Sequence, residues 1–218
     1  MFRDRLDAGR QLADRIEARA YPRPVVLALP RGGVPVAAEI AARLKAPLDL
    51  LFVRKIGTPH QPELAAGALC DGPDPALVWN DDVLRMLGLG PGDFTGAIAA
   101  EQTTIARRRA DWLGGRGPLP LDGRTAIVVD DGIATGATMR AALRGLSRRG
   151  AARVVLAVPV AAPESLFVLR PLADEVICLL TPPGFAAVGQ FYASFPQVED
   201  AEVRQILART ERAGPGGR

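Results

Sequence analysis

The chain is expected to fold as an α/β protein with a doubly wound, open, mostly parallel sheet. Three observations predict this. Short apolar runs recur at residues 25–29, 48–53, 126–129, 153–158 and 175–180, which is how strands covered on both faces read. Helical patterns separate most of these runs, and strands alternating with helices imply crossover connections and parallel pairing. Two runs end in small-residue loops that open a helix, at residues 29–36 and 129–139. Open α/β sheets bind ligands along that edge.

With 218 residues, 48% of them hydrophobic, the chain can bury a full core in one domain over residues 1–218, centred on about 20–180. It has no run of about 18 apolar residues and no charged-then-apolar leader, so neither a membrane span nor a signal peptide is expected. The cytoplasm is the expected compartment. Cys70 and Cys178 are the only cysteines, too few for a disulfide framework or a four-ligand zinc site. They are read as reduced thiols. A net charge of +3 argues only weakly for a nucleic-acid partner. Nearly all the positive charge is arginine, Lys45 and Lys55 being the only lysines. Guanidinium groups suit phosphate because they bind it bidentately.

In chain order, residues 3–18 place Leu6, Leu12, Ala13 and Ile16 at helical spacing among charges. This is an amphipathic helix lying on the domain, and no chemistry is assigned to it. Residues 21–24 stop it, and the first strand follows. Its exit, Leu29-Pro-Arg-Gly-Gly-Val-Pro, turns into a helix at 36–44. Gly32 and Gly33 permit a tight backbone with exposed N–H groups, with Arg31 at the mouth, so the turn reads as an anion site. The run 48–53 ends in Arg54 and Lys55. Residues 59–72 and 75–80 carry two short apolar runs around an Asp-Gly-Pro-Asp turn, a hairpin-like excursion. The only histidine, His60, lies there without histidine partners and is read as a loop residue; Glu63 receives no role.

Asn80 or Asp81 caps a short helix at 81–88. A longer helix at 94–113 carries Glu101 and the run Arg107, Arg108, Arg109, and breaks in Gly-Gly-Arg-Gly-Pro at 114–118. Residues 139–149 read as helix ended by Gly150, 164–169 as a short helix, and 199–209 as a closing amphipathic helix. Phe185, Phe191, Tyr192 and Phe195 fall within eleven residues of an otherwise aromatic-poor chain. Packing on the core and contact with a ligand are both open for them.

The organising stretch is 125–139, TAIVVDDGIATGATM. A buried strand ends in two adjacent carboxylates, Asp130 and Asp131, and breaks into a loop of small and hydroxylated residues before a helix near Gly136. Small residues let backbone N–H groups close on an anion, Thr135 and Thr138 add hydroxyl donors, and the helix N-terminus adds partial positive charge. Together they describe a monophosphate cradle. The two carboxylates only accept hydrogen bonds, which suits a sugar with vicinal hydroxyls. A Walker A loop would need a lysine after its glycine, and a dinucleotide fold would need G-x-G-x-x-G after its first strand; neither occurs here.

The segment DDGIATGAT resembles the phosphoribosyl-diphosphate (PRPP) signature of the type I phosphoribosyltransferases. The resemblance extends over about residues 23–207. It implies that family's fold, with a small C-terminal hood over residues 181–210. Asp130 and Asp131 would hold the ribose hydroxyls, and Gly132, Ile133, Ala134, Thr135, Gly136, Ala137 and Thr138 the 5-phosphate. It implies that Arg31, Gly32, Gly33 and Lys55 bind pyrophosphate. Arg109 and Arg116 are candidates for catalytic residues of a mobile lid, and Phe185 and Val188 of the hood are expected beside the acceptor. Mg²⁺ is the implied cofactor, held mainly by PRPP and water. Members acting on 6-oxopurines carry an acid where this chain has Ala134, so a hypoxanthine- or guanine-type mechanism is not expected. The expected partners are PRPP and a small nitrogenous acceptor, with a homodimer left open. A PRPP- or nucleotide-sensing regulator that binds RNA or protein without turnover is the alternative.

Overall fold

The computed structural model describes residues 1–59, 61, 63–72 and 75–213, with side chains to residue 210. His60 therefore lies outside the described residues. The first half of the chain runs α1 (Arg5–Glu17), β1 (Pro24–Ala28), α2 (Gly33–Leu44), β2 (Leu48–Leu50), β3 (Val53–Gly57), β4 (Ala65–Cys70), β5 (Ala76–Trp79), α3 (Asp81–Leu87) and α4 (Thr95–Leu113). It continues through β6 (Thr125–Val129), α5 (Ala137–Leu146), β7 (Arg153–Val160), α6 (Pro163–Leu169), β8 (Glu175–Leu180) and α7 (Asp200–Ala213).

Five strands form a sheet in the order β2-β1-β6-β7-β8, and every neighbouring pair is parallel. This is the expected doubly wound sheet. Successive side chains leave a strand on opposite faces, and both faces are apolar here. Val26, Ala28, Ile127, Val129 and Val155 join Leu12, Ile40 and Leu207 of α1, α2 and α7 in one core. Val25, Leu27, Ala126, Val128 and Leu156 join Met139, Leu143 and Leu166 of α5 and α6 in the other. The order of the strands reverses between β1 and β6. Ligands of open α/β sheets bind in the crevice outside the carboxyl ends of two such strands.

The strand expected at 48–53 is two strands. β2 ends at Leu50, and Leu51 and Phe52 turn the chain into an antiparallel sheet ordered β3-β4-β5. Phe52 drives the break: it is 1% exposed and stacks on Trp112 at 5.8 Å. Arg54 and Lys55 consequently lie within β3 and not at the carboxyl end of a parallel strand. The hairpin-like excursion is the β4–β5 pair.

In α1 the expected stripe holds at Leu12, Ala13 and Ile16 and fails at Leu6, whose place on the buried face Arg5 takes. The buried residues are Arg5, Ala8, Gly9, Leu12, Ala13 and Ile16, while Leu6 is 41% exposed. Leu12 and Ile16 are fully buried and contribute roughly 1.5–3 kcal/mol each. Asp4 caps the helix by accepting the Asp7 N–H at 2.8 Å. Gly9 permits close packing on α2, since a Cβ there would sit 2.8 Å from the Val36 carbonyl oxygen.

The aromatic tail and the N-terminus together build the hood. Phe2 donates its N–H to the Phe191 carbonyl at 2.8 Å, and its carbonyl accepts from Ala193 at 2.8 Å. The Phe2 ring packs on Tyr192 at 5.3 Å, and Tyr192 on Phe195 at 4.8 Å. Phe185 stands 5.2 Å from Phe191.

Candidate active site

Buried β6 delivers Asp130 and Asp131 to the sheet's carboxyl edge. The Asp131 N–H donates to Asp130 Oδ1 at 2.9 Å. Asp131 Oδ2 accepts from Arg5 Nε at 2.7 Å, and the Asp131 carbonyl accepts from the Tyr192 hydroxyl at 2.6 Å. Burial and the neighbouring Asp131 charge hold the Asp130 carboxyl well above the usual carboxylate range. Burial also raises Asp131, with Arg5 pulling the other way. Asp131, which has the guanidinium contact, is the one of the pair better able to stay ionised.

The loop after the aspartates is pinned to the exit of β7. Ile133 donates its N–H to the Val160 carbonyl at 2.9 Å and accepts from Ala162 at 2.9 Å. Its side chain is 2% exposed. Ile133 thus has neither N–H nor side chain to offer a phosphate, which corrects its expected role: it anchors the loop. The Ser165 hydroxyl donates to the Ala134 carbonyl, a second tether. Ala134, Thr135, Ala137 and Thr138 are exposed. Gly136 adopts φ +71° at the N-cap of α5, a conformation that favours glycine. The first-turn N–H groups of α5 have no intrahelical carbonyl to bond, so they suit an anion.

The loop after β1 meets this one directly. A Cβ at Gly33 would sit 2.7 Å from the Val129 carbonyl oxygen and 3.0 Å from Asp130 Cα. A Cβ at Gly32 would overlap the Asp131 carboxylate. The two glycines are thus what lets the loop after β1 lie against the acid pair. The Pro30–Arg31 peptide is cis. The Arg31 guanidinium reaches the start of α7, donating to the Val198 carbonyl at 3.2 Å and lying 3.4 Å from Asp200 Oδ1.

The hood touches the loop through Val188. A Cβ at Gly132 would lie 2.5 Å from Val188 Cγ1. Lys55 pairs with Glu63 at 3.0 Å, giving that glutamate a partner. Lys55 and Thr138 also line one cleft of about 490 Å³, with Arg140, Arg144 and Trp79 on its walls.

Arg109 and Arg116, the lid candidates, lie in a packed cluster at the edge of the sheet. Arg109 is 7% exposed and donates to Asp71 at 2.7 Å, Asp49 at 3.3 Å and the Leu50 carbonyl at 3.0 Å. Arg116 donates to the Leu48 carbonyl at 3.2 Å, and Asp49 also accepts the Leu119 N–H at 2.8 Å. This cluster fastens the glycine-rich segment to β2, the edge strand, which β1 separates from β6. A buried charge must be paired, and Asp49 and Asp71 satisfy Arg109 inside the fold.

The sequence reading missed Arg5. A signal was present: Arg5 shares the helical face of Ala8, Gly9, Leu12 and Ile16, and a cation on an apolar stripe calls for a buried partner.

Among the described residues no group of three or more His, Cys, Asp or Glu side chains is placed to hold a metal, and no helix is long and apolar enough to cross a membrane. A carboxylate pair between two glycine-bearing loops, at the switch point of a parallel sheet, defines a doubly wound α/β protein with one candidate site at the carboxyl edge of its strands. The chain belongs to the phosphoribosyl transferase domain family, whose pattern matches residues 3–192. It is 49% identical over 212 residues to a Mycobacterium tuberculosis protein with a provisional phosphoribosyl transferase name, covering 97% of this chain and 47% of that one. The chain spans about half the length of the curated relatives it matches. A solved structure from Thermus thermophilus is similar at 43% identity and a TM-score of 0.81, over 95% of this chain and 98% of that one. A uracil phosphoribosyltransferase of Streptomyces griseus is 38% identical over 102 residues, 46% of either chain.

Proposed function

We propose that this domain transfers 5-phosphoribose from PRPP to a nitrogen of a small acceptor and releases pyrophosphate. The observation that carries the reading is the direct contact of two anion loops across Asp130 and Asp131. One loop suits the 5-phosphate, the other the pyrophosphate, and the sugar between them meets the carboxylates. Gly132 and residues 134–138 receive the 5-phosphate while Ile133 holds the loop in place. Asp130 and Asp131 accept hydrogen bonds from the ribose 2- and 3-hydroxyls, which fixes C1 relative to the leaving group. The negative charge of the pair, carried by Asp131, favours the cationic character that C1 acquires as its bond to pyrophosphate breaks and the bond to nitrogen forms. The acceptor gives up its N–H proton. Val188 and Phe185 place the acceptor beneath the hood, and Lys55 supplies positive charge from β3.

The site fits Mg²⁺ carried in on the diphosphate. It offers hard carboxylate oxygens, and a strongly hydrated Mg²⁺ is satisfied largely by phosphate oxygens and water. The bound ion would neutralise the leaving diphosphate. In the resembling family, members acting on 6-oxopurines carry an acid where this chain has Ala134, so adenine, pyrimidines and small amines head the acceptor panel.

Two measurements test the reading. PRPP with Mg²⁺ raises the melting temperature, and Asp130→Asn with Asp131→Asn abolishes the rise. No rise in the wild type at millimolar PRPP overturns the binding claim. Pyrophosphate release is then followed across purines, pyrimidines and amines. Release with one acceptor supports transfer, whereas binding without release across the panel overturns it in favour of sensing.

A further inference from the structure

Arg5 is a buried cation on a helix outside both anion loops. It is 9% exposed. Its Nε donates to Asp131 Oδ2 at 2.7 Å, its Nη1 donates to the Pro196 carbonyl at 2.7 Å, and its guanidinium lies 3.7 Å over the Phe195 ring. Phe195 packs on Tyr192, whose hydroxyl holds the Asp131 backbone carbonyl at 2.6 Å. Asp131 is thus gripped twice, at its carboxylate from α1 and at its carbonyl from the hood. We infer that Arg5 is a positioning residue that orients Asp131 for the sugar and ties it to the hood. The inference rests on the proposed ribose role of the acid pair.

A guanidinium suits this task better than an ammonium. Its planar fork serves two acceptors at once while one face stacks on an aromatic ring. Of the four carboxylate oxygens of the pair, Arg5 occupies Asp131 Oδ2 and the Asp131 N–H occupies Asp130 Oδ1. Two adjacent carboxylates resist double ionisation, and an ionised carboxylate accepts a sugar hydroxyl more strongly than a neutral acid does. The groups facing Asp131 are Asp130 from its own segment, Arg5 from α1 and the Tyr192 hydroxyl from the hood; the first loop contributes uncharged Gly32, since Arg31 turns toward α7. Arg5 is the cation among them. Because its other contacts are Phe195 and Pro196, movement of the hood is transmitted to the ribose site.

The test compares wild type, Arg5→Met and Arg5→Lys. The affinity for PRPP with Mg²⁺ is measured by calorimetry from pH 5 to 9, and the carboxyl carbons of Asp130 and Asp131 are titrated by NMR in the ligand-free proteins. In Arg5→Met the acid limb of PRPP binding moves up by about one pH unit or more, so affinity falls about tenfold at the low end and less at the high end. The Asp131 titration moves up with it. Arg5→Lys keeps the charge and restores most of both. A folded Arg5→Met with an unmoved Asp131 titration overturns the inference whether or not PRPP binds. Should Arg5→Met fail to fold, Arg5→Lys decides: a full loss of PRPP affinity with an unmoved Asp131 titration overturns it. Failure of the wild type to bind PRPP, with the Asp131 titration still dependent on Arg5, overturns the ribose reading alone.

Discussion

Gly32→Ala tests whether the second anion loop and the acid pair are one site. The added methyl would overlap the Asp131 carboxylate, whose Oδ2 is held at 2.7 Å by Arg5. The side chains in that pair are 10% and 14% exposed, so neither has open solvent to swing into. Overpacking of this kind costs about 1–3 kcal/mol. If Asp131 yields, the charge-assisted bond to Arg5 is lost instead, which costs about 1.5–3 kcal/mol. Either route gives a fall in melting temperature of about 2–12 °C for a domain of this size. PRPP affinity falls about tenfold or more, since 1.4 kcal/mol corresponds to a factor of ten. Gly117→Ala is the control, because nothing lies within 4 Å of a Cβ there. Thermal unfolding with and without PRPP and Mg²⁺ reads both effects. A Gly32→Ala protein matching the wild type in melting temperature and in PRPP shift refutes the packing argument.

Other expectations follow from the buried charges. Arg109→Met leaves Asp49 and Asp71 without their guanidinium and costs about 3–5 kcal/mol, as breaking a buried pair does. The melting temperature drops steeply while the shift on adding PRPP survives; a lid residue would show the reverse, an unchanged melting temperature with lost turnover. Asp130 holds its proton more tightly in the folded than in the unfolded chain, whose carboxyl keeps its ordinary value of 3.8. Between that value and the raised one, the unfolded state releases a proton that the native state keeps, so ligand-free stability declines as pH rises through the window. Urea unfolding across that range measures the decline, and Asp130→Asn flattens it. An equally steep decline in Asp130→Asn would show that another group is responsible.

The sequence by itself determined the parallel sheet, the two strand–loop–helix turns and the acid pair. Local chemistry dictates each. Apolar runs of strand length need cover on both faces, glycines allow a backbone to close on an anion, and adjacent aspartates after a buried strand emerge at its carboxyl end. These features survive because each depends on residues a few positions apart. The tertiary structure alone decided which polar groups remain free. Ile133 belongs to the phosphate motif in sequence, yet its N–H pairs with Val160, 27 positions away. Arg109 is part of a basic run in sequence and is buried by Asp49 and Asp71, carboxylates that the fold brings to α4 from β2 and from the end of β4. Lys55 reads as the end of a strand until Phe52 turns the chain. Arg5 looks like one charge among several on a surface helix until the hood closes over it, 126 positions before the aspartate it holds. Charge and hydrogen-bonding capacity are written in the residue, whereas the partner that consumes them is set by packing between distant segments.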